Sequence, residues 1–362
     1  MPAKTNSGVR SRRLTLSDVA KAAGFSPSTV SIVLNEAPLS RYVAAATKRK
    51  IRETAERLDY HPDIFARSLR SRKSQTIGVL VLDLADPFCT RILQGIERKL
   101  LETPYLPIIM DGNSNPNQVQ RYSEMMVARR VEGLITVPNW LLFDISALED
   151  ISDSQLPTVV VGRDVDSPTI NSVVVDNEAG GYTAMDHLYS LGHREIAFVC
   201  GPRRLSDSRL RWRGVRSFAK RAKLRLTPAF IRSLPDISDS ESGFEGSRNL
   251  VAEYLRSGKP FTAILAFDDI SAFGAIRALV EAGRRVPEDC SVIGFDDIPA
   301  AALSTPGLTT IRQPMQEMGA YAAEAILKML NKSEGDRDGF YGQSHMMPPE
   351  LVIRGSTAER RR

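Results

Sequence analysis

Cysteine is scarce in this sequence, and its three copies lie far apart. Cys89, Cys200 and Cys290 form no CxxC pair in 362 residues. This spacing argues against a zinc site or a disulfide framework and fits a reducing compartment, so we expect a cytoplasmic protein. No apolar run is long enough to span a membrane, and the basic N-terminus has no apolar segment behind it. We therefore expect neither a membrane protein nor a secretory leader.

Catalytic and nucleotide-binding motifs are also absent from the sequence. It has only four histidines and contains no HExxH, GxSxG, GxGxxG or GxxxxGK[ST] motif. Carboxylates are common, but nothing pairs one with a nucleophile. These motifs are the usual signatures of dinucleotide binding, nucleoside triphosphate binding and hydrolysis, so the sequence does not indicate any of these activities. We expect a protein that is not an enzyme and holds no cofactor or metal.

The charge is distributed unevenly along a chain long enough for two or three domains. Residues 1–74 hold fifteen Lys and Arg against six Asp and Glu, a formal charge of +9, and the remainder carries −4. A basic module on a mildly acidic body is typical of a nucleic-acid binder. The charge alone is equally compatible with a solvated basic face or a tail.

The segment 14–60 has the capping pattern of three short helices. Thr15 and Asp18 can form a capping box, and Gly24 suits the left-handed position that ends a helix. Ser26 can cap the second helix, with Pro27 at its first position. A third amphipathic helix is predicted over 46–58. Two short helices around a glycine turn predict a helix-turn-helix, although a plain three-helix bundle would show the same pattern.

In a helix-turn-helix, the start of the second helix faces the bases. Pro27 and Ser28, with Ser31 and Ile32 one turn later, are the candidates for base edges in the major groove. Short polar side chains near helix starts suit phosphate oxygens. The residues predicted to contact DNA are Thr15, Leu16, Ser26, Pro27, Ser28, Thr29, Ser31, Ile32, Asn35 and Thr47.

Beyond residue 75, strand-like apolar runs alternate with amphipathic helices. Ile77–Leu82, Gly133–Val137, Ile196–Cys200 and Ser291–Phe295 are examples of the strands. Regular alternation of this kind predicts two doubly wound, parallel-sheet α/β lobes. The predicted fold class is therefore an all-α helix-turn-helix head joined to a two-lobed α/β body.

The run from Leu14 to Asn35, LTLSDVAKAAGFSPSTVSIVLN, resembles the DNA-binding head of the lactose-repressor (LacI) family, whose pattern is T-[LI]-x-D-V-A-x-x-A-G-V-S-x-x-T-V-S-x-V-[LI]-N. The similarity extends over about residues 14–358. Two departures stand out. Ile32 occupies a position that is often Arg, and Ala37–Ala46 is about three residues longer than in the lactose repressor. Ile32 cannot donate to guanine, although it can touch a thymine methyl.

The resemblance also implies a hinge, because YHPDIFARSLR matches the family's Y-x-P-N-x-x-A-R-x-L. It implies a short helix, with Asp63 in place of the usual Asn, that orders when two copies pack in the minor groove. Leu69 would wedge between base pairs, Ala66 would allow close approach and Arg67 would reach a phosphate. A charged linker is the alternative. The implied segments are a disordered extension 1–13, head 14–60, hinge 61–74 and body 75–362.

In the body, motifs such as Gly294-Phe-Asp-Asp297 resemble the periplasmic-binding-protein-like part of the same family. The implied first lobe is about 75–174 plus 311–340, and the second about 175–310 plus 341–362. A ligand would lie between them. Arg211 and Asp296 match family ligand-binding positions, Asp268 matches a position that is usually Asn, and Phe88 could supply an apolar wall. Surface ion pairs or helix caps are the alternative, and core packing is favoured for Trp140.

The resemblance implies a transcription regulator, expected to be a repressor, that binds a double-stranded DNA operator as a homodimer. A small-molecule effector, expected to be a carbohydrate or related metabolite, would control that binding. No C-terminal heptad segment is present, which favours a dimer over a tetramer. Two alternatives remain: a small-molecule binding protein without DNA-binding function, and an architectural DNA-bending protein without a ligand.

Overall fold

The computed structural model describes residues 14–60, 73–113, 115–138, 156–165, 167–235, 239–331 and 341–360. The chain separates into two compact units between Ser74 and Gln75. The described part of the first unit is helical, and the second combines helices with two sheets.

The first unit contains three α-helices and one 3₁₀ turn in its described part. The helices are α1 (Leu16–Ala23), α2 (Pro27–Leu34) and α3 (Ala45–Arg57), and the 3₁₀ turn spans Pro38–Tyr42. Both ends of α3 lie one residue before the predicted ends. The 3₁₀ turn occupies the segment 37–46 that distinguishes this sequence from the lactose repressor.

Local hydrogen bonds fix the ends of these helices. Thr15 N donates to Asp18 Oδ2 at 2.8 Å, and Asp18 N donates to Thr15 Oγ1 at 3.3 Å, which completes the predicted capping box. Gly24 has φ +77°, a conformation that L side chains rarely adopt. Ser26 Oγ accepts from Thr29 N at 3.1 Å. These caps orient a small apolar core, which consists of Val19, Ala20, Ala23, Val30, Val33, Ile51 and Ala55.

The second unit contains two six-stranded sheets with helices on both faces. Sheet one has the order β11-β5-β4-β3-β1-β2, and its strands are β1 (Thr76–Val81), β2 (Leu106–Asp111), β3 (Gly133–Val137), β4 (Thr158–Val161), β5 (Ile170–Val175) and β11 (Ser344–Met347). The helices of this lobe are α4 (Pro87–Leu100), α5 (Pro116–Ala128) and α11 (Met315–Asn331).

Sheet two has the order β12-β10-β9-β8-β6-β7. Its strands are β6 (Ile196–Cys200), β7 (Ile231–Ser233), β8 (Ala263–Ala266), β9 (Ser291–Asp296), β10 (Thr309–Arg312) and β12 (Glu350–Val352). The helices of this lobe are α6 (Asn177–Ser190), α7 (Ser206–Arg221), α8 (Ser240–Arg256), α9 (Asp269–Glu281) and α10 (Pro299–Leu303). Strand β12 runs antiparallel to β10, and the other pairings in the described chain are parallel.

The chain passes between the lobes three times: at Asp176, at Gln313–Pro314 and at Pro348–Pro349. The third crossing corrects one predicted boundary, which placed all of 341–362 in the second lobe. Residues Ser344–Met347 instead pair with β5 in sheet one. This edge strand is short and only half-buried on alternate residues, so it lacks the apolar run by which the other strands were predicted.

Close helix packing in the first lobe depends on two glycines. A Cβ on Gly95 would lie 1.9 Å from the carbonyl oxygen of Gln316, and one on Gly319 would lie 2.1 Å from that of Ile92. Helices α4 and α11 therefore meet backbone to backbone.

Across the described part of the chain, no helix combines the length and hydrophobicity that crossing a lipid bilayer would require.

Candidate functional site

The start of α2 lies on the surface of the helical unit. Pro27 and Ser28 are exposed, and Ser31 and Ile32 are half-buried one turn later. The opposite side of the helix is closed, because Val30 and Val33 are fully buried. The residues predicted to face base edges therefore share the open face of α2, and its apolar face holds the helix in place.

The residues predicted to meet phosphates lie at helix ends. Ser26 is exposed beside half-buried Thr29, and their hydroxyls are 2.8 Å apart. Exposed Asn35 donates through Nδ2 to the carbonyl of Ser31 at 2.9 Å. Thr15 is exposed, and Leu16 and Thr47 are half-buried.

The 3₁₀ turn exposes a cluster that the sequence did not indicate. Leu39 and Tyr42 are 58% and 72% exposed, and the guanidinium of Arg41 lies 4.7 Å from the Tyr42 ring. Glu36 pairs with Arg52 of α3 at 3.1 Å. This pair ties the C-terminal end of α2 to α3 on either side of the turn.

A cleft lies between the two lobes of the second unit, at the carboxyl ends of the strands. Its cavity has a volume of about 60 Å³. Both lobes and the middle crossing contribute to its lining, which consists of Asp86, Pro87, Phe88, Pro138, Gly162, Arg163, Asp207, Arg211, Gly243, Phe267, Asp268, Ile270, Asp296, Ile298 and Gln313. Crevices beyond the carboxyl ends of parallel strands are where open α/β sheets bind ligands.

Arg211 of α7 lies at the centre of the cleft's second-lobe wall and is 9% exposed. Its Nε donates to Asn177 Oδ1 at 2.8 Å and its Nη1 to the carbonyl of Phe267 at 2.6 Å. Its Nη2 lies 3.4 Å from Asp296 Oδ1. The guanidinium also stacks 3.6 Å from the ring of Phe295. These contacts compensate the burial of a charged group.

Asp296 ends β9 in an unusual backbone conformation. Its φ is 112° and that of Asp297 is 60°, so two consecutive non-glycine residues occupy the left-handed region. This turn directs Asp296 into the cleft, where Gln313 Nε2 donates to its Oδ1 at 2.6 Å. Burial raises the pKa of Asp296 to about 7, and the nearby Arg211 opposes that rise. Asp296 thus connects Arg211 to the crossing at Gln313.

Asp268 is both a helix cap and a cleft residue. It precedes α9, and its Oδ1 accepts from Ser271 N at 2.6 Å. Burial raises its pKa above the usual range. A capping carboxylate with 9% exposure on the cavity wall fits both interpretations that the sequence allowed.

Phe88 lies opposite, in the first lobe. Its ring is the nearest neighbour of Gly162, where a Cβ would lie 3.4 Å from Cε1. Asp86 caps α4 by accepting from Phe88 N at 2.9 Å. Burial raises the pKa of Asp86 to about 7, and Asp268 raises it further. Phe88 and Asp86 together form the first-lobe wall.

Several cleft residues were missed by sequence reasoning. Asp207 lies one helical turn before Arg211 on α7, and burial raises its pKa. Burial lowers the pKa of Arg163, and the nearby carboxylate of Asp207 opposes that decrease. Asn177 accepts a hydrogen bond from Arg211, and Gln313 donates one to Asp296, so these two residues help to fix the positions of the functional side chains. The i, i+4 spacing of Asp207 and Arg211 was the one local signal available.

Five residues singled out in the sequence lie outside the described residues. They are Trp140 and the predicted hinge residues Asp63, Ala66, Arg67 and Leu69.

Comparison with known proteins covers both units. Residues 15–63 match the bacterial regulatory proteins of the lacI family, and residues 185–357 match the periplasmic binding protein-like domain. The HTH-type transcriptional repressor PurR of Aliivibrio fischeri is 33% identical over 346 residues, which cover 96% of this chain and 99% of the relative. PurR of Haemophilus influenzae is 34% identical, with 94% and 98% covered.

This chain belongs to the lacI family of bacterial regulatory proteins. Its lacI-family relatives are DNA-binding transcriptional repressors and not enzymes. They confirm two predictions: the family, and a protein that is not an enzyme.

Solved structures of similar regulators show the same fold. A crystal structure of the Lac repressor dimer bound to operator and the anti-inducer ONPF has a TM-score of 0.80 and 27% identity, covering 96% of this chain and 100% of that one. The complex of the regulator CelR with cellobiose has a TM-score of 0.68 and 26% identity, with 95% and 100% covered. A regulator from Enterococcus faecium with bound ribose has a TM-score of 0.66 and 29% identity, with 79% and 100% covered.

Proposed function

We propose that this chain is a repressor whose affinity for operator DNA is controlled by a small molecule bound between the two lobes. The observation that carries the proposal is the chain of contacts from Arg211 through Asp296 to Gln313. These contacts join a buried cleft to a crossing between the lobes. The same protein exposes the start of α2, the second helix of its helix-turn-helix. A ligand that alters this contact chain acts on the lobe connection itself.

The open face of α2 supplies the DNA contacts. Pro27 and Ser28 meet base edges, while Ser26, Thr29, Asn35 and Thr47 meet phosphates. Two copies of the chain bind an approximately palindromic operator, as the Lac repressor dimer bound to operator illustrates. Leu69 of each copy enters the central minor groove, with Ala66 and Arg67 beside it.

The cleft is too small to admit a ligand as it stands. Its volume of about 60 Å³ is well below the roughly 300–1,000 Å³ of common ligand sites. Entry of a ligand therefore requires the lobes to separate about the three crossings. Strand β1 begins at Thr76, directly after the hinge segment 61–74, so lobe movement shifts the point where each hinge attaches. A ligand changes operator affinity if it binds one lobe arrangement better than the other.

The cleft side chains suit a ligand rich in hydroxyl groups. Arg211 donates, Asp268 and Asp296 accept, and Phe88 offers an apolar surface, a combination typical of sites for polar metabolites. Relatives of similar fold are known with cellobiose and with ribose. A sugar or related metabolite is the effector class that we propose on these grounds.

DNA binding is tested with the full-length chain and operator duplexes selected from a random pool. Fluorescence anisotropy should show tight binding that weakens steeply as salt rises, because phosphate contacts release counterions. Ser28→Ala should weaken binding to the selected duplex, whereas the matched change Ser217→Ala, at an exposed position of α7, should not. If the protein ignores every duplex at low ionic strength, a binding protein without DNA function is the better description.

Effector control is tested by a metabolite screen. A compound that raises the thermal unfolding midpoint should also change operator affinity on the same samples. A ligand that binds without any change in operator affinity contradicts the control mechanism. Leu69→Ala should weaken operator binding while leaving ligand binding intact, and unchanged operator affinity would refute the hinge assignment.

A further inference from the structure

The walls of the cleft carry more negative than positive charge. Four carboxylates, Asp86, Asp207, Asp268 and Asp296, line the cavity together with two guanidiniums, Arg163 and Arg211. The formal charge of the lining is therefore −2. Burial raises the pKa values of Asp86 and Asp296 to about 7, so beside an uncharged ligand these groups are partly protonated, whereas a positively charged ligand would stabilise their ionised form.

The two arginines do not neutralise all four carboxylates. Among the described residues, Asp296 is the only one of the four with a Lys or Arg nitrogen within 4.0 Å, and that nitrogen is Nη2 of Arg211. Three of the five N–H groups of Arg211 already have protein acceptors. Arg163 interacts electrostatically with Asp207. Asp268 shares the charge of Arg211 with Asp207 and Asp296, and the electrostatic interactions of Asp86 with described residues are with carboxylates.

Asp86 and Asp268 come from opposite lobes and act on each other across the cleft. Each accepts one backbone N–H at the start of its helix, from Phe88 at 2.9 Å and from Ser271 at 2.6 Å. Their electrostatic interaction is repulsive, and both also repel Asp296. This repulsion opposes closure of the lobes, and a positive group placed between the two carboxylates would reverse it.

The arrangement does not suit a bare metal ion. Within the described ranges, no three His, Cys, Asp or Glu side chains are grouped closely enough to hold a metal. Instead, the carboxylates are spread around a cavity that also has an aromatic wall at Phe88. Aromatic faces attract cations, so an aromatic wall beside carboxylates suits a protonated amine.

Resting on the effector proposal above, we infer that the ligand of this cleft carries a positive charge: a small polar molecule with a protonated amine held between Asp86 of the first lobe and Asp268 of the second, beside Phe88. Such a ligand joins the lobes directly, because each lobe supplies one carboxylate. Its hydroxyl or other polar groups then meet Arg211 and Asp296.

The experiment uses the full-length protein and matched pairs of charged and uncharged probes. The pairs are 2-amino-2-deoxyglucose with glucose, 2-amino-2-deoxygalactose with galactose, and putrescine with 1,4-butanediol. Binding is measured at pH 7 by thermal shift and titration calorimetry. At least one amine should bind at least tenfold more tightly than its uncharged partner.

The variants remove charge without removing the helix caps. Asp86→Asn and Asp268→Asn keep a side-chain oxygen that can cap α4 and α9, because Asn caps helices as well as Asp does. Each should weaken binding of the amine at least tenfold. The control is Asp289→Asn, which removes an exposed carboxylate that pairs with Arg285 outside the cavity lining and should leave binding unchanged.

The outcomes separate this inference from the effector proposal. The inference is overturned if the amines bind the wild type no better than the Asp86→Asn/Asp268→Asn double variant, or if an uncharged partner binds as tightly. An uncharged ligand that binds and changes operator affinity overturns the charge inference but supports effector control. An amine that binds through Asp86 and Asp268 without changing operator affinity supports the charge inference and contradicts effector control.

Discussion

Gly181 lies directly against the backbone of Arg211. A Cβ at position 181 would be 2.1 Å from the carbonyl oxygen of Arg211, and one at Gly214 would be 2.0 Å from that of Glu178. Helices α6 and α7 therefore touch backbone to backbone at the arginine that faces the cleft. The position of the guanidinium is set by these two glycines as much as by its own hydrogen bonds.

Gly181→Ala should reduce the stability of the body and displace Arg211. The added methyl meets backbone atoms of Arg211, which cannot move away as the end of a flexible side chain could. Overpacking of this kind lowers the free energy of unfolding by about 1–3 kcal/mol. Urea unfolding of the full-length chain measures the loss. The control is Gly246→Ala on α8, where a Cβ would lie 3.4 Å from Leu234 Cδ2, an ordinary contact. It should be neutral or slightly stabilising. Equal effects of the two changes would contradict the close-packing argument.

Helix ends and strand positions could be predicted because their signals are local. Thr15, Gly24 and Ser26 fix the ends of α1 and α2 by contacts within four residues, and the structure forms those contacts. The 3₁₀ turn at Pro38–Tyr42 and the edge strand Ser344–Met347 lack such signals. Residues 344–347 form a strand because they lie beside the edge of β5 and pair with it, which is a property of the fold rather than of these four residues.

Arg211→Ala should abolish the response to effector while preserving operator binding. It removes the donor to Asn177 and Phe267 and leaves Asp296 without its cationic partner. Unsatisfied buried groups of this kind also cost about 1–3 kcal/mol of stability, so folding is checked by circular dichroism. Arg216→Ala is the control, since Arg216 is exposed on the same helix and lies outside the cavity lining. An intact effector response in Arg211→Ala would refute the placement of the site.

The cleft could be predicted only in part, because its walls come from strand ends that are distant in the sequence. The family pattern indicated Phe88, Arg211, Asp268 and Asp296, and all four line one cavity. Nothing local to Asp86 shows that it faces Asp268, 182 positions later, across the lobe boundary. The excess of negative charge emerges only when both lobes are assembled.

Ile32→Arg should change the preferred operator sequence. Position 32 lies on the open face of α2 one turn after Ser28, and an arginine there can bind guanine through two hydrogen bonds. Affinity for the wild-type operator should fall, and selection from a random pool should yield a half-site with a new guanine. A correctly placed pair is worth about 1–3 kcal/mol of discrimination. Ser217→Arg adds the same charge to the body and should leave the base preference unchanged. If both variants select the wild-type half-site, α2 does not read the bases.

Stability should depend on pH through Asp86. The pKa of this carboxyl is about 7 in the folded chain against 3.8 in the unfolded one. Between these values the folded state holds a proton that the unfolded state has lost. The resulting stabilisation is complete below about pH 4 and disappears as pH rises through 7, by up to about 1.4 kcal/mol per pH unit.

Asp86→Asn isolates this contribution from those of the facing groups Asp83, Asp207, Asp268, Asp269, Asp296, Arg163 and Arg211, which both proteins keep. The buried histidines His187 and His193, whose pKa values burial lowers, act in the opposite direction in both proteins and cancel in the comparison. The difference in free energy of unfolding, variant minus wild type, should therefore increase from pH 5 to pH 8 in urea titrations. Asp289→Asn should show no such trend, because Arg285 lowers the pKa of Asp289 and keeps it ionised over this range. A difference for Asp86→Asn that stays constant over this range would mean that Asp86 is ionised throughout, and that the repulsion between the lobes is already relieved by water.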